Sequence, residues 1–132
     1  MANKRVAIIA SSAGLETAYK VLNIATAAAA LDAEVGIFFT FEGLSIIHKD
    51  SEKMLQLKPE NAGLAEGFQK ANVPSVAQLL EIAKDSGVRM IACQMTVDVM
   101  GLDKEHFIDG IELGGAAAYL DFAFDAQVTL NF

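Results

Sequence analysis

The 132 residues include one cysteine, two prolines and no tryptophan. A single cysteine excludes an internal disulfide framework and fits a reducing compartment, so the protein is expected in the cytoplasm. With only His48 and His106 beside it, and no close His–Cys spacing, no metal site is expected. Long hydrophobic runs are also missing. The longest nearly uncharged stretch, Val21 to Leu31, is mostly alanine and falls well short of the roughly 20 residues a membrane span needs. The apolar run after Lys4-Arg5 ends at Ala10, too short for a signal peptide. Positive charge is scarce: 10 Lys and Arg against 17 Asp and Glu leave a net −7, with no basic block to neutralise phosphates, so no nucleic-acid partner is expected. No G-x-S-x-G, G-x-G-x-x-G or P-loop occurs, and no Ser-His-Asp pattern is identifiable.

What is abundant is apolar. Hydrophobic residues make up 53% of the chain and charged residues 20%, a surplus that needs a sheet covered on both faces or a subunit interface. The length predicts one domain spanning 1–132. Strands are expected at Lys4–Ser11, Glu34–Thr40, Val88–Cys93, Ile111–Leu113 and Val128–Phe132. Helices are expected at about Leu15–Leu31, Val76–Gly87, Met95–Gly101 and Ala116–Asp125. Ser75 and Gln78 form a capping box at the head of the second of these helices, and Gly87 sits where a left-handed cap would end it. An insert or lid at about 44–74 interrupts the alternation. Its part from His48 to Pro74 holds four lysines, four acids and both prolines, and a short helix or two is expected there over the carboxyl edge of the sheet. Strands alternating with helices predict an α/β fold: a three-layer α/β/α sandwich around a mainly parallel five-stranded sheet. The apolar surplus, with Phe38, Phe39, Phe41 and the segment Met54–Phe68, predicts a homo-oligomer.

Cys93 carries the functional question. It closes the run Val88-Arg89-Met90-Ile91-Ala92-Cys93 and hands over directly to a helix, which puts its side chain at the carboxyl edge of the sheet, where ligand sites of open α/β folds form. Free amides of the following turn favour a thiolate there. The position alone leaves two readings, a small buried hydrophobe or a nucleophile. Arg89 shares the Cys93 face but lies roughly 13 Å along the strand, too far to pair with it. Gly14, Gly43 and the pair Gly114-Gly115 occur at turns beside the sheet edge; each either serves a tight turn or helps cradle an anion on backbone amides. His48 reads first as a surface residue, Asp98 as a helix-start acid, and Met54, Met90, Met95 and Met100 as packing.

The stretch Ile91-Ala92-Cys93-Gln94-Met95-Thr96-Val97-Asp98-Val99-Met100-Gly101 resembles the ACxMxxDxMG motif of the DsrE/DsrF-like family of small sulfur-relay proteins, in a subgroup often labelled peroxiredoxin-like. Three other stretches are similar: Gly14-Leu15-Glu16, where the family usually has Asp; Ala27–Ala30 with Glu34–Leu44; and Gly110–Gly115. The resemblance implies a three-layer fold, oligomers, and a cysteine that carries sulfane sulfur as a persulfide. Carried over, Cys93 is the acceptor, the backbone of Gln94, Met95 and Thr96 surrounds its sulfur, and the partners are donor and acceptor carrier proteins, with no metal or organic cofactor. The alternative is a non-catalytic oligomeric module that binds a small anion at the sheet edge through Gly14, Gly43, Gly114 and Gly115, with Cys93 as a pocket wall.

Overall fold

A computed structural model describes residues 4–132. Five strands, β1 (Arg5–Ala10), β2 (Glu34–Phe39), β3 (Arg89–Cys93), β4 (Ile111–Gly114) and β5 (Val128–Asn131), form one sheet in the order β4-β3-β2-β1-β5. Every pairing is parallel, so each connection must cross over the sheet, and helices do this. They are α1 (Leu15–Ala30), α2 (Ser51–Met54), α3 (Leu64–Lys70), α4 (Val76–Asp85), α5 (Gln94–Val99) and α6 (Ala116–Ala123). The expected α/β sandwich is present, with a sheet that is wholly rather than mainly parallel.

The two outer layers are unequal. On one side α1 and α4 pack against Val6, Ile8, Val35, Ile37, Phe39, Met90 and Ala92. Helix α1 approaches closely because its buried stripe, Ala18, Val21, Leu22 and Ala25, alternates small and branched residues at helical spacing. On the other side a small cluster of Ala7, Phe38, Ile91, Cys93, Tyr119 and Phe122 is covered by α6 alone. Phe38 and Phe39, expected to supply exposed apolar surface, are instead both buried, one on each face of the central strand.

Local signals read from the sequence hold at several junctions. Ser75 Oγ accepts the Gln78 amide at 3.1 Å, and Gln78 Oε1 accepts the Ser75 amide at 2.8 Å, which closes the capping box of α4. Gly87, at φ 80°, lets the Val88 amide fold back to the Ala83 carbonyl at 2.9 Å. The insert holds more local structure than expected: a 3-10 turn over Phe41–Ile46, α2, a second 3-10 turn at Pro59–Asn61, and α3. Its apolar residues Leu44, Ile46, Ile47 and Leu55 join the α1-side core. His48 does not swing over the sheet edge. It forms an isolated antiparallel bridge with Phe107, and its Nδ1 accepts the Asp50 amide at 2.9 Å.

Gly36 is required by close approach. A side chain there would put its first carbon 2.8 Å from the Phe122 ring, which lies flat against the β2 backbone. The Gly36→Ala variant should therefore lose about 1–3 kcal/mol through displacement of the ring, read as a lower urea midpoint with an unchanged slope.

Candidate functional site

Cys93 is both the last residue of β3 and the residue preceding the first turn of α5. Its side chain points to the α6 side of the sheet and is 5% exposed. Parallel register sets Gly114 directly beside it. On its other flank β2 ends at Phe39, and Thr40 follows. Thr96, one turn into α5, is fully buried, and its Oγ1 lies 3.2 Å from Thr40 Oγ1. The Phe41 amide donates to the same Thr96 oxygen at 3.3 Å. To do so Phe41 takes φ 49°, in the left-handed region that a bulky side chain seldom occupies. Gly43 keeps this turn close, because a Cβ there would collide with the Ala10 carbonyl.

The electrostatics at the sulfur follow from these contacts. Burial pushes the thiol up, since a charge is harder to sustain away from water. The Thr96 hydroxyl and amide, the Thr40 hydroxyl and the Met95 amide act in the opposite direction, and together they hold the thiol below its ordinary value. No cation contributes. Arg89 is held in a fork by Glu112, with Nε to Oε1 at 2.9 Å and Nη2 to Oε2 at 3.1 Å. The stabilisation is therefore dipolar.

The residues marked out in the sequence separate into two groups. Gln94, Met95, Thr96 and Gly114 adjoin Cys93, and Gly115 heads α6 with open space above it. Gln94 turns its amide to Asp98 Oδ1 at 2.9 Å, so Asp98 orients Gln94 as well as following the helix start. Gly114 packs tightly against Ile91 and Ala118. Gly14 belongs to a different place: it follows β1, two strands from β3, and at φ 106° heads α1. Beside it, Glu16 Oε2 accepts the Lys58 amide at 2.9 Å and the Asn61 side-chain amide at 2.7 Å, while the Leu15 amide donates to the Gln56 carbonyl at 3.0 Å. Glu16 thus ties the insert to the head of α1. Thr40 was missed in the sequence because nothing local marks it; it matters only because β2 and β3 are neighbours. Among the described residues no group of three His, Cys, Asp or Glu side chains is placed to hold a metal ion, and no helix is long and apolar enough to cross a membrane.

A wholly parallel sheet with one thiol at its carboxyl edge, capped by the first turn of a short helix, defines a class of small α/β proteins built around a single cysteine. Within that class the chain belongs to the DsrE/DsrF/DrsH-like family, whose pattern matches residues 2–67 and 60–131. The two matches meet inside the insert, the segment where this chain and the family pattern part. The chain is 33% identical to the sulfur carrier protein DsrE2 of Allochromatium vinosum, over 98% of this chain and 99% of that protein. It is 34% identical to the uncharacterized protein YrkE of Bacillus subtilis, over 96% of each. The crystal structure of ychN from E. coli superposes with a TM-score of 0.72 at 20% identity, covering 98% of this chain and 99% of that one, which shows a shared fold.

Two outcomes test this geometry. Alkylation follows the thiolate, so for Cys93 its rate should rise with a midpoint at lower pH than for a simple thiol. The Thr96→Val variant should move that midpoint up, because it removes a donor to the anion; iodoacetamide labelling against pH reads both. Asn61 and the Lys58 amide hold the Glu16 carboxyl below the usual carboxylate range. A depressed carboxyl stabilises above its unfolded-state pKa and loses that effect as pH falls through the folded-state value. Hydrogen exchange should therefore show the Lys58 amide protected at neutral pH, unprotected well into acid, and unprotected throughout in Glu16→Ala.

Proposed function

We propose that the protein is a sulfur carrier that holds sulfane sulfur as a persulfide on Cys93, taking it from one carrier protein and giving it to another, and that it works as an assembly of identical chains. The observation that carries the chemistry is the donor set around Cys93: Thr96, Thr40 and the Met95 amide favour a thiolate in a nearly buried position. Support comes from the family membership and from the relative whose name is sulfur carrier protein.

The steps balance without an oxidant. The Cys93 thiolate attacks the outer sulfur of a donor persulfide, R–S–SH. A new S–S bond forms at Cys93, the donor S–S bond breaks, and the donor leaves as R–S⁻; the proton stays on the transferred sulfur. An acceptor thiolate then attacks that outer sulfur, and Cys93 leaves as a thiolate. A lowered thiol pKa serves twice, raising the thiolate fraction for attack and making Cys93 the better leaving group for release. One cysteine suffices because each transfer is between molecules. The anion-binding alternative is less well supported. Gly43 and Gly114 already have packing roles, and the Glu16 carboxylate lies beside Gly14, where it would repel an anion.

Incubation with a persulfide donor should add one sulfur atom to the protein, mapped to Cys93 by mass spectrometry. Cys93→Ser should abolish the gain. Its hydroxyl falls among the same donors and acceptors, so stability should drop by less than about 1 kcal/mol. Wild-type protein that stays a free thiol with every persulfide donor offered would end the proposal.

A further inference from the structure

The thinly covered side of the sheet offers more than the site. Next to α6 runs an open groove of about 530 Å³, lined by Ile9, Tyr119, Leu120, Ala123, Phe124 and Thr129 to Asn131. No charged side chain lines it. Phe124 stands at its rim with 79% of its surface exposed, and Leu120 is nearly half exposed. The adjacent strand β5 is an edge that pairs only with β1 among the described residues. Its sequence, Val128-Thr129-Leu130-Asn131, carries no charge and no proline. Natural sheet edges are usually guarded by such residues, because unpaired backbone groups recruit other strands. The opposite edge is guarded in this way: β4 carries Glu112, locked to Arg89. One edge protected and the other bare, beside an uncharged groove with an aromatic knob on its rim, indicates a surface that is covered.

We infer that a second copy of this chain covers it, with β5 of the two copies antiparallel across a two-fold axis and Phe124 of each copy seated in the groove of the other. This rests on the assembly proposed above and gives it a location. Charge selects the occupant. A chain of net −7 can approach its own copy only where its acids are absent or neutralised. That condition is met here. Of the two acids on or beside α6, Asp125 lies 3.7 Å from Arg5, and Asp121 acts on Arg89. A basic partner protein would be drawn to the acidic surface elsewhere. The contact is also self-complementary, as a two-fold interface requires: a bare strand edge meets the same edge, and a knob meets a groove.

Analytical ultracentrifugation of the full chain across micromolar concentrations tests this. Phe124→Glu and Thr129→Lys alter residues exposed in the single chain, so both variants should fold, as circular dichroism would check. Each should weaken self-association at least about tenfold, the symmetry placing every new charge at the interface twice. Leu64→Glu, an equally drastic change on the exposed part of the insert, should leave association unchanged. A monomeric wild type overturns both the assembly and its surface. An associated wild type whose mass withstands Phe124→Glu and Thr129→Lys, or yields to Leu64→Glu instead, overturns the surface and leaves the assembly standing. Sulfur loading on Cys93 is read separately and decides neither.

Discussion

The junction between β3 and α5 contains no loop, and the arrangement of the site follows from that. Cys93 ends the strand and precedes the helix, so its sulfur is fixed by the sheet on one side and faced by the first amides of α5 on the other. A linker of even a few residues would have let the thiol swing into water, where nothing opposes its ordinary pKa. Burial alone would have raised that pKa. The balance is decided by donors that the sheet brings from a neighbouring strand: Thr40, carried on the end of β2, meets Thr96 at 3.2 Å. The left-handed turn at Phe41 is the local strain that this meeting requires, and Gly43 against the Ala10 carbonyl is what makes the turn possible.

The unequal layers give the molecule two working sides. The α1 side is the thick one. It buries most of the apolar surface, including the insert, and supplies the stability. The α6 side is thin. It carries Cys93, the small cluster around Phe38, Tyr119 and Phe122, and the uncharged groove and bare edge beyond them. Stability and exchange with other chains are thus separated by the plane of the sheet. The insert, tied down by Glu16 at the head of α1, packs on the α1 side, where its Leu44, Ile46, Ile47 and Leu55 join the larger core.

Much of this was legible before any coordinates. Five strands and the helices between them show in the alternation of apolar runs with helical stripes, because a parallel sheet buried on both faces needs unbroken apolar strands. The caps at Ser75 and Gly87 are legible because they depend on residues within one turn of each other. The Cys93 motif and its neighbours place the chain in its family. Less legible was the surplus of phenylalanine. Phe38 and Phe39 read as an exposed interface, but consecutive residues of a central strand point to opposite faces, and both faces of β2 are covered.

What the sequence by itself determined is local or periodic: the strands, the larger helices, the absence of a membrane-length helix, and a lone thiol at a strand-to-helix step. These follow from residues within a few positions of one another, where propensity and period act directly. Strand order, the Thr40–Thr96 contact, the latch from Glu16 to the insert, and the contrast between a guarded β4 and a bare β5 were decided only in the tertiary structure. Each joins residues far apart in the chain, and whether such residues meet depends on which strands lie side by side, something no local spacing encodes.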